Sequence, residues 1–91
     1  MQKPVVKIEN WGVVQSILSQ GFEELRSGNR LLGYVTGHAS LPNTKLVCTS
    51  PIVRVDLSQG LAETRNTVYQ LGEASGEYRF WVDSRTASTA A

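Results

Sequence analysis

Residues 49–72, TSPIVRVDLSQGLAETRNTVYQLG, constrain the fold of this chain more than any other stretch. Three short strand-like runs (52–57, rich in β-branched residues, then 61–65 and 67–71) are separated by turn chemistry at Ser58-Gln59-Gly60 and at Asn66, and Gly72 closes the last run. β-Branched and aromatic side chains suit a pleated, half-buried surface, and Gly and Asn supply the positive φ that tight hairpins need. The stretch therefore predicts a three-stranded meander. The rest of the chain must pair with it or cover it.

The chain has 91 residues, enough for a single core, which we assign to residues 1–85, with a flexible tail over residues 86–91. An apolar share of 41% suits a globular domain. A net charge of +1 demands no polyanionic partner and provides little repulsion between copies. Cys48 is the single cysteine, so no internal disulfide forms, which favours a reducing compartment. No secretory h-region follows Met1, and no apolar run approaches the roughly 20 residues that span a bilayer. The expected location is cytoplasmic, with no membrane partner.

Along the remaining sequence, residues 5–8 form a β-branched run after Pro4. Residues 11–18 carry two signals. Val13, Val14, Ile17 and Leu18 fit one helix face, whereas Gly12 and the β-branching favour a strand. We read a strand here, with a turn at Glu9-Asn10. Residues 19–29 are polar and read as a loop with one helical turn at most. RLLGYVT (residues 30–36) is a strand whose interior Gly33 marks a bulge or a close backbone approach. GHASLPNT (37–44) is a loop, and 46–49 is a strand stopped by Ser50-Pro51. In EASGEYRFWVD (73–83), Ser75 reads as an N-cap, with Tyr78, Trp81 and Val82 sharing a helix face that lids the open end of a small barrel. The fold class is therefore mainly β: a small antiparallel meander or barrel-like sheet of about five or six strands with a short C-terminal helix. Closure would remove exposed edges. An open sheet packed on the helix is the alternative.

Chemistry-bearing residues are sparse. His38 and Cys48 are the only residues of their types, too few for the four ligands of a structural zinc site. As a nucleophile–base pair they are unconvincing, because Cys48 sits in an apolar run where a free thiol packs as a small hydrophobe. The glycines form no phosphate-cradling motif. No catalytic set, metal site or cofactor is expected.

Three binding surfaces remain. Tyr78, Phe80 and Trp81 form an aromatic cluster suited to a protein interface or to self-association. Trp11, Tyr34 and His38 would line a small-molecule pocket at a barrel mouth. Arg54, Arg65 and Tyr69 would bind single-stranded nucleic acid if they shared a sheet face. Arg54 and Asp56 alternate with Val53, Val55 and Leu57. The simpler reading is thus an outer-face charge ladder with Glu63 and Arg65, above an inward apolar set.

GHASLP (37–42), TSPIVRVD (49–56) and ETRNTVYQLG (63–72) resemble short uncharacterised bacterial proteins of the integron-cassette and mobile-element type. The resemblance covers about the middle half of the chain. It implies a cytoplasmic protein of the accessory gene pool and transfers no catalytic residue. The combined expectation is a non-enzymatic binding module contacting a protein, a second copy included. The small-molecule pocket and the nucleic-acid surface are the alternatives, and an enzyme whose active site is completed across a subunit boundary is a fourth reading.

Overall fold

The computed structural model describes residues 3–37 and 45–90, with side chains through Arg85. Its elements are β1 (Val5–Val14), β2 (Arg30–Thr36), β3 (Leu46–Cys48), β4 (Ile52–Asp56), β5 (Leu61–Thr64), β6 (Val68–Leu71) and α1 (Gly76–Ala90). The six strands make one sheet in the order β3-β2-β1-β6-β5-β4. The protein is mainly β with a C-terminal helix. The meander turns lie where Ser58-Gln59-Gly60 and Asn66 place them, with Gly60 at φ 66°.

Two features differ from the expected antiparallel or barrel-like sheet. First, β1 and β6 run parallel, from Val5 opposite Val68 to Ile8 opposite Leu71. Parallel neighbours need a long crossover, and β2 to β5 supply it. Second, the sheet is not closed, and β3 and β4 are its edges. Ile52 nevertheless donates to the Asn29 carbonyl at 2.7 Å and accepts from the Gly28 N–H at 2.8 Å. These bonds lash the start of β4 to the segment entering β2, so the sheet curls without closing.

The turn expected at Glu9-Asn10 is a bulge inside one continuous strand. Register with β2 shifts between Glu9 and Gly12, and Asn10 takes φ 51°, a conformation its short polar side chain tolerates. The Glu9 carboxylate reaches across to accept the Glu73 N–H at 2.9 Å, restoring a bond where the bulge interrupts the ladder. Beyond it the Trp11 N–H donates to the Glu73 carbonyl at 3.4 Å, and Ser75 N–H donates to the Trp11 carbonyl at 2.7 Å. Gly33 faces this bulge. A Cβ there would lie 3.0 Å from the Glu9 backbone oxygen, Ile8 Cγ1 and Trp11 Cα, so any larger residue makes the bulge backbone give way, and glycine suits this close approach.

The core follows the strand alternation. Leu31 and Val35 of β2 are buried, and Ile8, Val13, Ile52, Ala62 and Tyr69 join them. Each large aliphatic here contributes about 1.5–3 kcal/mol by leaving water. In β4 the alternation breaks. A bulge between Ile52 and Arg54 turns Ile52 inward, while Val53 stays 53% exposed and Leu57 73% exposed. Of the inward set expected on this strand, Val55 alone packs against the core.

Between β1 and β2 the chain runs as bends and turns, and Phe22 and Leu25 pack on the core from there. Thr49 links β3 to β2, its Oγ1 accepting the Leu31 N–H at 3.0 Å and donating to the Ser50 carbonyl at 2.8 Å. Ser75 caps α1 by accepting the Tyr78 N–H at 3.1 Å on its Oγ. The helix extends to Ala90, longer than its apolar pattern suggests.

Candidate interaction surface

The helix divides the aromatic cluster in two. Tyr78 is a core residue, 4% exposed, and its hydroxyl donates to the Glu23 carbonyl at 2.7 Å. Trp81 lies one turn further on the same side and stacks on Tyr78 at 5.6 Å between ring centroids. Phe22 meets both rings edge-on, at 5.3 Å and 6.1 Å. The Arg85 guanidinium lies 4.5 Å above the Trp81 ring and bonds the Glu24 carboxylate at 2.8 Å, which lowers the Glu24 pKa. Phe80 points the other way and is 74% exposed. Tyr78 and Trp81 therefore hold the helix on the sheet, and Phe80 alone of the three projects fully into solvent. The sequence does not mark Phe22 as part of this cluster, whereas Arg85, four residues after Trp81, carries a readable helical-spacing signal.

The edge strand β4 carries a second surface. Arg54 opposes Glu63 in register, as the charge-ladder reading requires. Its contacts are loose, 3.6 Å to Asp56 and 3.9 Å to Glu63, and its side chain is 62% exposed. Glu63 has a closer partner in Lys3 at 2.7 Å, the main cause of its lowered pKa. Asp56 accepts from the Ser58 hydroxyl at 2.7 Å and from the Gln59 N–H at 3.3 Å, and the Ser58 bond leads in lowering its pKa. The space among Arg54, Asp56, Leu61, Glu63 and Val68 is only 10 Å³, about one water. Flanking these charges are the exposed Val53 and Leu57.

The nucleic-acid arrangement is not assembled. Glu63, opposite Arg54, alternates with the buried Ala62, which pairs with Tyr69. Tyr69 thus faces the core, where burial raises its pKa, while Arg54 faces outward. Arg65 is exposed in the turn after β5. The three residues share no face.

The residues expected to line a pocket are engaged elsewhere or differently directed. Trp11 donates from Nε1 to the Gly72 carbonyl at 2.9 Å and packs 5.5 Å from the Tyr78 ring. Tyr34 alternates with the buried Gly33 and Val35, so it lies on the opposite face of β2, between Glu9 and Leu46. His38 lies outside the described residues. Burial pushes the Cys48 thiol pKa up against the weaker pull of Arg30, which keeps it protonated rather than nucleophilic.

An open cleft of 320 Å³ lies beside the β1 bulge, lined by Glu9, Asn10, Glu73, Ala74, Gly76 and Arg79. Its charges already have partners: Glu9 with Lys7 at 3.0 Å and the Glu73 N–H, Arg79 with Glu73 at 3.4 Å. The bond to Glu73 is the main reason the Glu9 pKa is lowered. Among the described residues, no buried side-chain nitrogen or oxygen lacks a partner, and no three His, Cys, Asp or Glu side chains gather as metal ligands. No helix there is long and apolar enough to cross a membrane. Comparison with protein-family models, curated proteins and solved structures finds no match to this chain.

Proposed function

We propose that this chain is a non-enzymatic binding module that acts through protein–protein contact, self-association included. The observation that carries the reading is Phe80, 74% exposed on a helix whose other aromatics are committed to the core. A rigidly held helix presenting one aromatic anchor is the arrangement that concentrates binding energy at interfaces. Tyr78 is bonded and buried and Trp81 is stacked, so Phe80 is presented without local ordering on contact. The single cysteine and the resemblance to integron-cassette proteins add a bacterial cytoplasmic setting to the proposal.

The test is a photo-reactive phenylalanine analogue placed at position 80, with position 77, an exposed helix site, as control. Irradiation in cells should give a discrete protein adduct from position 80 and none from position 77. Equal labelling from both, or none from either, would refute the anchor role of Phe80.

A further inference from the structure

A second surface specifies its own partner. The free edge of β4 is self-complementary, and we propose that two copies of this chain pair β4 against β4 in antiparallel register about a two-fold axis at Val55. This rests on the protein–protein reading above and names a second copy as the partner at this edge.

The register follows from the sequence of the edge. With the axis at Val55, Arg54 of each copy stands opposite Asp56 of the other, and Leu57, the first residue of the turn after β4, comes beside Val53 at the bulge. The charged residues meet their complements on one face, and the exposed apolar residues meet each other on the other face. The neighbouring symmetric registers fail. An axis at Arg54 sets arginine against arginine, and an axis at Asp56 sets aspartate against aspartate. In the Val55 register residues of the same parity oppose one another, so outward-pointing backbone groups of one copy meet those of the other.

Four observations make this edge available and specific. Among the described residues, the strand order leaves β4 without a neighbouring strand beyond β5. The bonds from Ile52 to Gly28 and Asn29 occupy the edge at its start, which confines pairing to the residues that follow. Val53 and Leu57, 53% and 73% exposed, gain cover in the pair that the monomer does not give them. Arg54, held at no less than 3.6 Å within its own chain, gains a carboxylate directly across. An edge arginine ordinarily repels a second strand. Here it selects the one register in which it is neutralised. The contact is isologous and closes at two copies.

Charge exchange tests it by sedimentation equilibrium. Wild type should associate as concentration rises. Arg54→Asp and Asp56→Arg should each associate about tenfold or more weakly, because like charges then oppose in the homodimer. Mixed in equal amounts they should associate again, since each reversed charge meets its complement. Folded single variants that associate like wild type, or a mixture that stays monomeric, would overturn the pairing. Asp56 also caps the following turn, so a second pair guards against misfolding. Val53→Cys and Leu57→Cys, both at exposed sites, should on oxidation of the mixture link mainly to one another, and equal yields of like and unlike pairs would overturn the register. If wild type associates, and Phe80→Ser abolishes association while the charge variants leave it intact, the β4 pairing fails and the Phe80 reading stands. Wild type monomeric up to about 1 mM overturns the β4 pairing, and the adducts at position 80 decide the Phe80 reading separately.

Discussion

Replacing Tyr78 with Phe removes one oxygen and leaves the ring, so it isolates what the hydroxyl does. That hydroxyl donates to the Glu23 carbonyl at 2.7 Å from a side chain only 4% exposed. Its loss removes a well-formed bond and leaves a carbonyl without that donor, a cost of about 1–2 kcal/mol. For a domain of this size each kcal/mol lowers Tm by roughly 4–8 °C, so thermal unfolding by circular dichroism should show a drop of about 4–16 °C. An alkaline limb adds an independent check. Burial pushes the Tyr78 pKa from 10.0 up to about 12. The folded state therefore holds this proton more tightly than the unfolded state. The corresponding stability is complete below pH 10 and is lost as pH climbs toward 12, in total roughly 2–3 kcal/mol. Wild type should lose stability across that window, and Tyr78→Phe should lose less of it. A variant with unchanged Tm and the same alkaline limb as wild type would refute the account of Tyr78 as a bonded core residue.

Other perturbations separate neighbouring sites. Gly33→Ala should cost about 1–3 kcal/mol in urea unfolding, because backbone of the β1 bulge blocks the new methyl. Gly72→Ala should cost less, because only the movable end of the Glu9 side chain stands in its way, although the Glu73 N–H then loses its acceptor. Thr49→Val should cost about 1–3 kcal/mol by stranding the buried Leu31 N–H. On the acid side, Glu9, Glu24, Asp56 and Glu63 have lowered folded pKa values. Their contribution is present above the ordinary carboxylate values of 3.8 to 4.5 and is lost as pH falls through the folded ones, so acid titration should show destabilisation beginning near pH 4.5.

What the sequence reveals of this fold is local. β2 lies at Arg30–Thr36 because RLLGYVT is an uninterrupted β pattern, and Ser75 caps α1 because a serine before a helix can accept a free N–H. Interruptions are harder to read. Glu9-Asn10 has the composition of a turn, yet the same positive φ serves a bulge, and only pairing with β2 and β6 keeps the strand going. The parallel pairing of β1 with β6 joins segments some sixty residues apart and leaves no local trace. The β4 bulge turns Ile52 inward, so Val53 reads as core from its alternation and emerges as surface, and Leu57 is exposed because the strand ends before it. Tyr69 shows the reverse, since alternation places it on one face without telling which face is buried. Among the aromatic candidates, helical spacing joins Tyr78 to Trp81 and sends Phe80 elsewhere. The sequence thus groups Phe80 with two other aromatics without showing that it is the most exposed of the three.

Pairing of β4 with the β4 edge of a second copy, as proposed above, would change the mass in solution. Light scattering behind size exclusion, run over a wide concentration series, reads that change. Pairing gives a mass of 10.0 kDa at high dilution that climbs toward twice that value as concentration rises. A mass that stays at 10.0 kDa over the whole series would contradict it.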